Sequence, residues 1–146
     1  MKKIYYLIGQ PGAGKTTLAK YLCENVLSNV HHIDGDDLRN LTQNKDYSEK
    51  GRRTNIELAQ TMAKLSFKDG KNVVMSIVSP FVDLRENFKK EMGENVVEIF
   101  VHTTEIRGRE QYHVENYQTP IENYIDVDTT NQTISQSIAH IISHIQ

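Results

Sequence analysis

The stretch GQPGAGKTT, residues 9–17, matches the phosphate-binding pattern G-x-x-x-x-G-K-[ST]. It follows an apolar run at 3–9 and precedes a segment of helical spacing at 15–27, which is the context that the pattern requires. Glycines let such a loop curl until successive backbone N–H groups face one anion, and the helix adds its positive end. We therefore predict that the loop binds the phosphates of ATP, through Gly9, Gly12, Ala13, Gly14, Lys15, Thr16 and Thr17.

Lys15 of this loop and an acid outside it are the predicted catalytic groups, and Thr16 is a predicted metal ligand. Lys15 is expected to reach the β and γ phosphates, and the Thr16 hydroxyl to bind Mg²⁺. Such sites usually take a second metal anchor from an acid that ends a neighbouring apolar strand. The predicted strand at 72–78 ends without an acid, whereas the one at 30–34 ends in Asp34. Thr16 and Asp34 are therefore the predicted Mg²⁺ ligands, partly through water.

Asp34 begins a cluster that also contains Asp36 and Asp37. Carboxylates this close repel one another unless a positive charge is near, and Mg²⁺ with its triphosphate would supply that charge. Asp34 or Asp36 could then take the proton of an attacking hydroxyl group. The structural alternative is an Asx-turn followed by a helix N-cap, which accounts best for Asp37.

Hydrophobic periodicity predicts an α/β fold, a single domain over 1–146 with a parallel sheet of about five strands covered by helices on both faces. A polar segment at 103–123 is predicted to be a loop or mobile lid. The predicted strands span 3–9, 30–34, 72–78, 96–102 and 123–128, and the predicted helices 15–27, 49–68 and 131–145, with weaker ones near 82–92 and 105–114.

Composition narrows the possible partners. A net charge of −2 over 146 residues gives no general attraction to nucleic acid or anionic membranes. No apolar run approaches the roughly 20 residues of a membrane span. The single cysteine, Cys23, suits a reducing compartment and is expected to be a small core residue. We therefore expect a cytoplasmic protein that binds neither nucleic acid nor membrane.

Three stretches after the loop carry a family resemblance. DGDDLR (34–39), DYSEKGRRTNI (46–56) and SIVSP (76–80), followed by Arg85, resemble the adenylylsulfate kinase family in their order and spacing. This resemblance implies a three-layer P-loop kinase fold and a transferase of sulfate assimilation. It also implies that ATP and Mg²⁺ are used to phosphorylate the 3′-hydroxyl of adenosine 5′-phosphosulfate (APS), giving PAPS. The family commonly forms dimers, so a homodimer is a possible assembly.

The resemblance also implies roles for individual residues. It makes Asp34 the catalytic aspartate and assigns the APS side of the site to Asp36, Arg39, Tyr47, Arg52, Asn55, Val78 and Ser79. Arg39 and Arg52 would hold the phosphosulfate group, and a planar guanidinium suits its oxygens. Tyr47 stands where the family has a phenylalanine that stacks on adenine. Asn55 would contact the acceptor nucleotide, and Val78 replaces the isoleucine of an isoleucine-serine-proline motif.

The chain departs from the family pattern at two places. Gly51 replaces an aspartate, and the segment 103–129 is shorter than the family's lid and contains no lysine. Only NYQTP (116–120) and the last strand resemble the family there. Arg107 or Arg109 could replace the missing lysine near the transferring phosphoryl group, and Tyr112 or Tyr117 could provide a second aromatic face for a base.

These departures leave two alternatives. One is a P-loop kinase that acts on another small nucleotide or phosphorylated metabolite, because acceptor choice depends on the lid and a few side chains. The other is a nucleotide-binding module that hydrolyses ATP slowly and has no acceptor. Such a module would have no use for Arg39, Arg52 and Asn55 together, so their presence favours a true acceptor pocket.

Overall fold

The computed structural model describes residues 1–145 and contains one parallel five-stranded sheet of order β2-β3-β1-β4-β5. This arrangement confirms the predicted fold class. The strands are β1 (Ile4–Ile8), β2 (Val30–Asp34), β3 (Asn72–Ser76), β4 (Val96–His102) and β5 (Tyr124–Asp128). The helices are α1 (Lys15–Tyr21, continued by a π-helical turn at Leu22–Val26), α2 (Gly35–Thr42), α3 (Glu49–Lys68), α4 (Val82–Met92) and α5 (Ile134–Ile145).

Helices cover both faces of the sheet. Every residue of β1 is buried, and alternate side chains enter two separate cores because successive residues of a strand point to opposite faces. Tyr6 belongs to the core beneath α2, α3 and α4, whereas Leu7 belongs to the core beneath α1 and α5. Each fully buried aliphatic side chain stabilises the fold by about 2 kcal/mol. Among residues 1–145, no helix has the length and apolarity needed to cross a bilayer.

The segment between β4 and β5 is irregular, and the helix predicted near 105–114 was wrong. Only a single 3₁₀ turn, Glu110–Tyr112, forms there. The Glu110 carboxylate accepts the backbone N–H groups of Arg107 and Gly108 at 2.9 and 3.0 Å. Gly108 has a φ of 84°, outside the right-handed helical region, so a continuous helix cannot run through 105–114.

Two helix boundaries also depend on side-chain caps. The last helix was predicted from 131 but begins at Ile134, because Thr133 and Gln136 cap each other reciprocally at 2.8 and 3.1 Å. Helix α2 follows Asp34 directly, and the Asp34 side chain accepts from the N–H groups of Asp36 and Asp37. The capping role that the sequence suggested for Asp37 therefore belongs to Asp34.

Candidate active site

The phosphate-binding loop joins β1 to α1 at the carboxyl edge of the sheet. Gly12 and Gly14 adopt φ values of 86° and 108°, in a left-handed region that residues with a Cβ rarely adopt. Thr129, which follows β5, donates its hydroxyl to the carbonyl of Ala13 at 2.8 Å. The loop is thus held in its curled form by the end of the last strand.

Lys15 is buried in this loop, with its Nζ donating to the Gln10 carbonyl at 3.0 Å. Burial lowers the pKa of Lys15 to about 8, although the nearby carboxylates of Asp36 and Asp34 raise it and the charge of Arg109 lowers it further. Lys15 is therefore a poorly solvated cation, and an incoming phosphate would stabilise its charge.

Asp34 ends β2 and faces the loop. Its Oδ1 accepts a hydrogen bond from the Thr16 hydroxyl at 3.0 Å, and its Oδ2 accepts from the amides of Asp36 and Asp37 at 3.2 and 3.3 Å. The two side chains predicted to bind Mg²⁺ are therefore adjacent in space. Asp36 and Asp37 are both exposed, and only Asp36 lines the cavity into which Asp34 also opens.

Ser76 is a site residue that the sequence analysis missed. Its hydroxyl donates to Asp34 Oδ1 at 2.7 Å. Ser76 Oγ also lies 2.8 Å from His32 Nε2. Because the serine proton is already used, the ring N–H of His32 is the donor of this second hydrogen bond. Burial lowers the pKa of His32, which Asp34 partly opposes. The sequence did contain a signal for Ser76, because this serine ends β3 at the position where an acid was looked for.

One cavity of about 1070 Å³ brings the predicted donor and acceptor residues together. Its volume is at the upper end of the range for small-molecule sites. Its walls include Gly12, Gly14, Lys15, Thr16, Thr17, Asp34, Asp36, Arg39, Tyr47, Arg52, Asn55, Val78, Ser79 and Arg107. Of the predicted site residues, Gly9 and Ala13 do not line this cavity.

The predicted acceptor side of the cavity carries two arginines around one tyrosine. The guanidinium carbons of Arg39 and Arg52 lie 4.1 and 5.6 Å from the centre of the Tyr47 ring. Arg39 is oriented by bonds from Nη1 to the carbonyls of Asn44 and Asp46, at 3.1 and 3.0 Å. This wall is positive and contains one exposed aromatic ring, which suits an anionic group attached to a planar base.

Asn55 supplies an unpaired acceptor to the same wall. Its side chain is 5% exposed, and its Nδ2 donates to the Gly35 carbonyl at 3.4 Å. Its Oδ1 has no hydrogen-bond partner among residues 1–145. A buried carbonyl oxygen without a donor is costly, so a hydroxyl or amine of a ligand would be favoured there.

The two lid arginines have different environments. Arg107 donates from Nη1 to the carbonyls of Gly12 and Ala13 at 3.2 and 3.0 Å, and it pairs with Glu105 at 2.6 Å. It therefore braces the phosphate-binding loop. Arg109 packs beside Gly12, and its charge lies close enough to lower the pKa of Lys15. Both arginines line the cavity, and Arg107 is the one that is hydrogen-bonded to the loop.

Comparisons with known proteins give a consistent result. The family model described as adenylylsulphate kinase matches residues 1–125. The adenylyl-sulfate kinase of Pseudomonas aeruginosa is 30% identical, with 98% of this chain and 85% of that protein covered. The enzyme of Burkholderia ambifaria is 28% identical, with 99% and 93% covered.

Solved structures share the fold. The APS kinase of Mycobacterium tuberculosis, in complex with AMPPNP and APS, superposes with a TM-score of 0.80 at 20% identity, covering 99% of this chain and 97% of that one. A gluconokinase from Sinorhizobium meliloti gives a TM-score of 0.68 at 12% identity, covering 97% and 90%. The match over residues 1–125 shows that this chain belongs to the adenylylsulfate kinase family of P-loop kinases.

Proposed function

We propose that this chain phosphorylates the 3′-hydroxyl of APS with ATP, yielding PAPS. The observation that carries the proposal is that one cavity contains both the phosphate-binding loop and the Arg39–Tyr47–Arg52 wall. A protein that only bound or hydrolysed ATP would need the loop and not the wall. The presence of both in one space supports transfer between two bound nucleotides.

The residues present fit a magnesium ion. The Thr16 hydroxyl and the Asp34 carboxylate are hard oxygen donors 3.0 Å apart. Within residues 1–145, no three histidine, cysteine or acidic side chains converge on one point. Mg²⁺ commonly takes only one or two protein ligands and completes its shell with phosphate and water, so this pair is sufficient. The ion, when bound, would neutralise charge on the β and γ phosphates.

The acceptor wall matches the chemistry of APS. Two guanidinium groups can hold phosphate and sulfate oxygens, and the Tyr47 ring offers a face to adenine. The unpaired Oδ1 of Asn55 would accept from a hydroxyl or amine of the same nucleotide. Recognition through Arg39, Arg52, Tyr47 and Asn55 is part of this proposal.

The remaining residues would act on the reacting groups. Asp34 accepts the proton of the attacking hydroxyl, and its orientation is maintained by donors on both of its oxygens. Lys15 and Arg109 stabilise charge on the transferring phosphoryl group. Most of the acceleration would come from holding donor and acceptor in line.

The test is ADP release from Mg-ATP, with and without APS, by the wild type and by Lys15→Ala. We expect strong stimulation by APS, a product phosphorylated on the 3′-hydroxyl, and loss of turnover in the variant with folding retained. Lys15-dependent ATP binding without stimulation by APS would refute the proposal. Stimulation by a sugar phosphate instead would assign the site to a different acceptor.

A further inference from the structure

The turn after β3, residues Val78–Pro80, is backbone-strained. Ser79 adopts a φ of 46°, in the left-handed region that costs a non-glycine residue about 1 kcal/mol or more. Such a conformation persists only where surrounding contacts enforce it. Val78 and Ser79 line the acceptor side of the cavity, so the shape of this turn bears directly on ligand binding.

Core residues hold one side of the turn. The Ser79 hydroxyl is buried and forms a 2.6 Å hydrogen bond with the Tyr6 hydroxyl, which also accepts from Gln60 Nε2 at 3.3 Å. Arg85 Nη1 donates to the Ser79 carbonyl at 2.6 Å. Ser79 therefore points its side chain into the core and faces the cavity through its backbone.

Lid residues hold the other side. The Tyr117 hydroxyl donates to the Val78 carbonyl and lies 3.4 Å from the Ser79 carbonyl. The backbone N–H of Gln118 donates to the Pro80 carbonyl at 3.1 Å, and the Gln118 side-chain Oε1 accepts from the backbone N–H of Val82 at 2.8 Å. The NYQTP motif thus has a structural use that the proposed catalytic chemistry does not explain.

Arg85 links the two sides. Its side chain is fully buried and also donates to the Gln118 carbonyl at 2.6 Å, while its charge is balanced by Glu98 at 3.0 Å. Burial raises the pKa of Tyr117, so its hydroxyl remains a donor throughout the neutral range. The lid end and the turn consequently form one hydrogen-bonded unit attached to β4.

We propose that Tyr117 is a positioning residue for the acceptor: its hydroxyl holds the strained Val78–Pro80 turn, so acceptor affinity depends on a residue of the lid. The part that concerns APS rests on the proposed function. The part that concerns the turn does not, because it follows from the contacts within the chain.

The test compares Tyr117→Phe with a matched control, Tyr124→Phe. Both tyrosine rings pack on Phe100, with centroids 6.1 and 6.5 Å away, but Tyr124 is partly exposed at the edge of the sheet. In Tyr117→Phe we expect faster amide hydrogen exchange of residues 77–82 without ligand. We also expect KM for APS to rise about threefold to tenfold while KM for ATP stays within about twofold.

Each result has a defined meaning. Unchanged exchange at 77–82, or equal increases in both KM values, would overturn the positioning role, as would the same effects in Tyr124→Phe. If the wild type showed no turnover with APS, the proposed function would fail. The exchange comparison would still decide whether Tyr117 holds the turn.

Discussion

Ser76 and Asp34 are register partners at the ends of β3 and β2, and the Ser76 hydroxyl donates to Asp34 Oδ1 at 2.7 Å. Asp34 thereby receives donors on both oxygens, from side chains on Oδ1 and from backbone amides on Oδ2. This carboxylate has two separable tasks, since one oxygen caps α2 and the other faces the phosphate-binding loop.

Asp34→Asn should separate these tasks. Asparagine caps helices as well as aspartate does, so the free energy of unfolding should change by less than about 0.5 kcal/mol. Turnover should fall by about 100-fold or more, because the amide cannot accept the proton. Asp34→Ala should lose turnover and about 1 kcal/mol of stability as well. Urea unfolding and steady-state rates measure both effects, and an Asp34→Asn enzyme with half the wild-type rate would exclude Asp34 as the base.

The lowered pKa of Lys15 should make ATP affinity depend on pH. Its pKa is lowered to about 8, so the charged form that attracts phosphate dominates below that pH and is lost as the pH rises through it. The Kd for ATP should therefore be about tenfold higher at pH 9 than at pH 7. Calorimetric titration in EDTA isolates the lysine–phosphate contact. Lys15→Arg, which stays charged, should give a flat profile; a flat profile in the wild type would contradict the assignment.

Arg39→Lys should weaken acceptor binding more than ATP binding. Lysine keeps the charge but loses the planar fork and its stacking on Tyr47, so we expect about a tenfold higher KM for APS. Arg53→Lys is the matched control, because Arg53 pairs with Glu49 and Asp83 outside the cavity. Equal losses for ATP and APS in Arg39→Lys would show that Arg39 does not serve the acceptor.

Gly51→Ala should destabilise the protein even though alanine is the better helix former. A Cβ at Gly51 would lie 2.1 Å from the carbonyl oxygen of Asp46, which also accepts from Arg39. The loop before α3 must therefore move, and we expect a loss of about 1–3 kcal/mol. Thr54→Ala, on the exposed face of the same helix, should be neutral or stabilising. Urea unfolding measures both changes in the free energy of unfolding. An increase in Gly51→Ala would contradict the prediction and show that the loop before α3 moves without cost.

Local signals in the sequence predicted much of the fold. The spacing of apolar residues located all five strands to within about two residues, because a buried strand requires apolar side chains at adjacent or alternate positions. The glycine-rich loop and the acid that ends β2 could also be predicted, since each requires particular residues at short spacing. The predicted helix near 105–114 failed because Gly108 adopts a left-handed backbone conformation in that segment, with a φ of 84°.

The sequence by itself therefore determined the fold class, the phosphate-binding loop and the position of Asp34. Only the tertiary structure decided which side chains support them. Ser76 reaches Asp34 across 42 positions, Thr129 reaches the loop across 116, and Tyr117 reaches the turn at Val78 across 39. These contacts follow from strand order and the path of the lid over the sheet edge. No local pattern encodes them, because the partners become neighbours only when the parallel strands align.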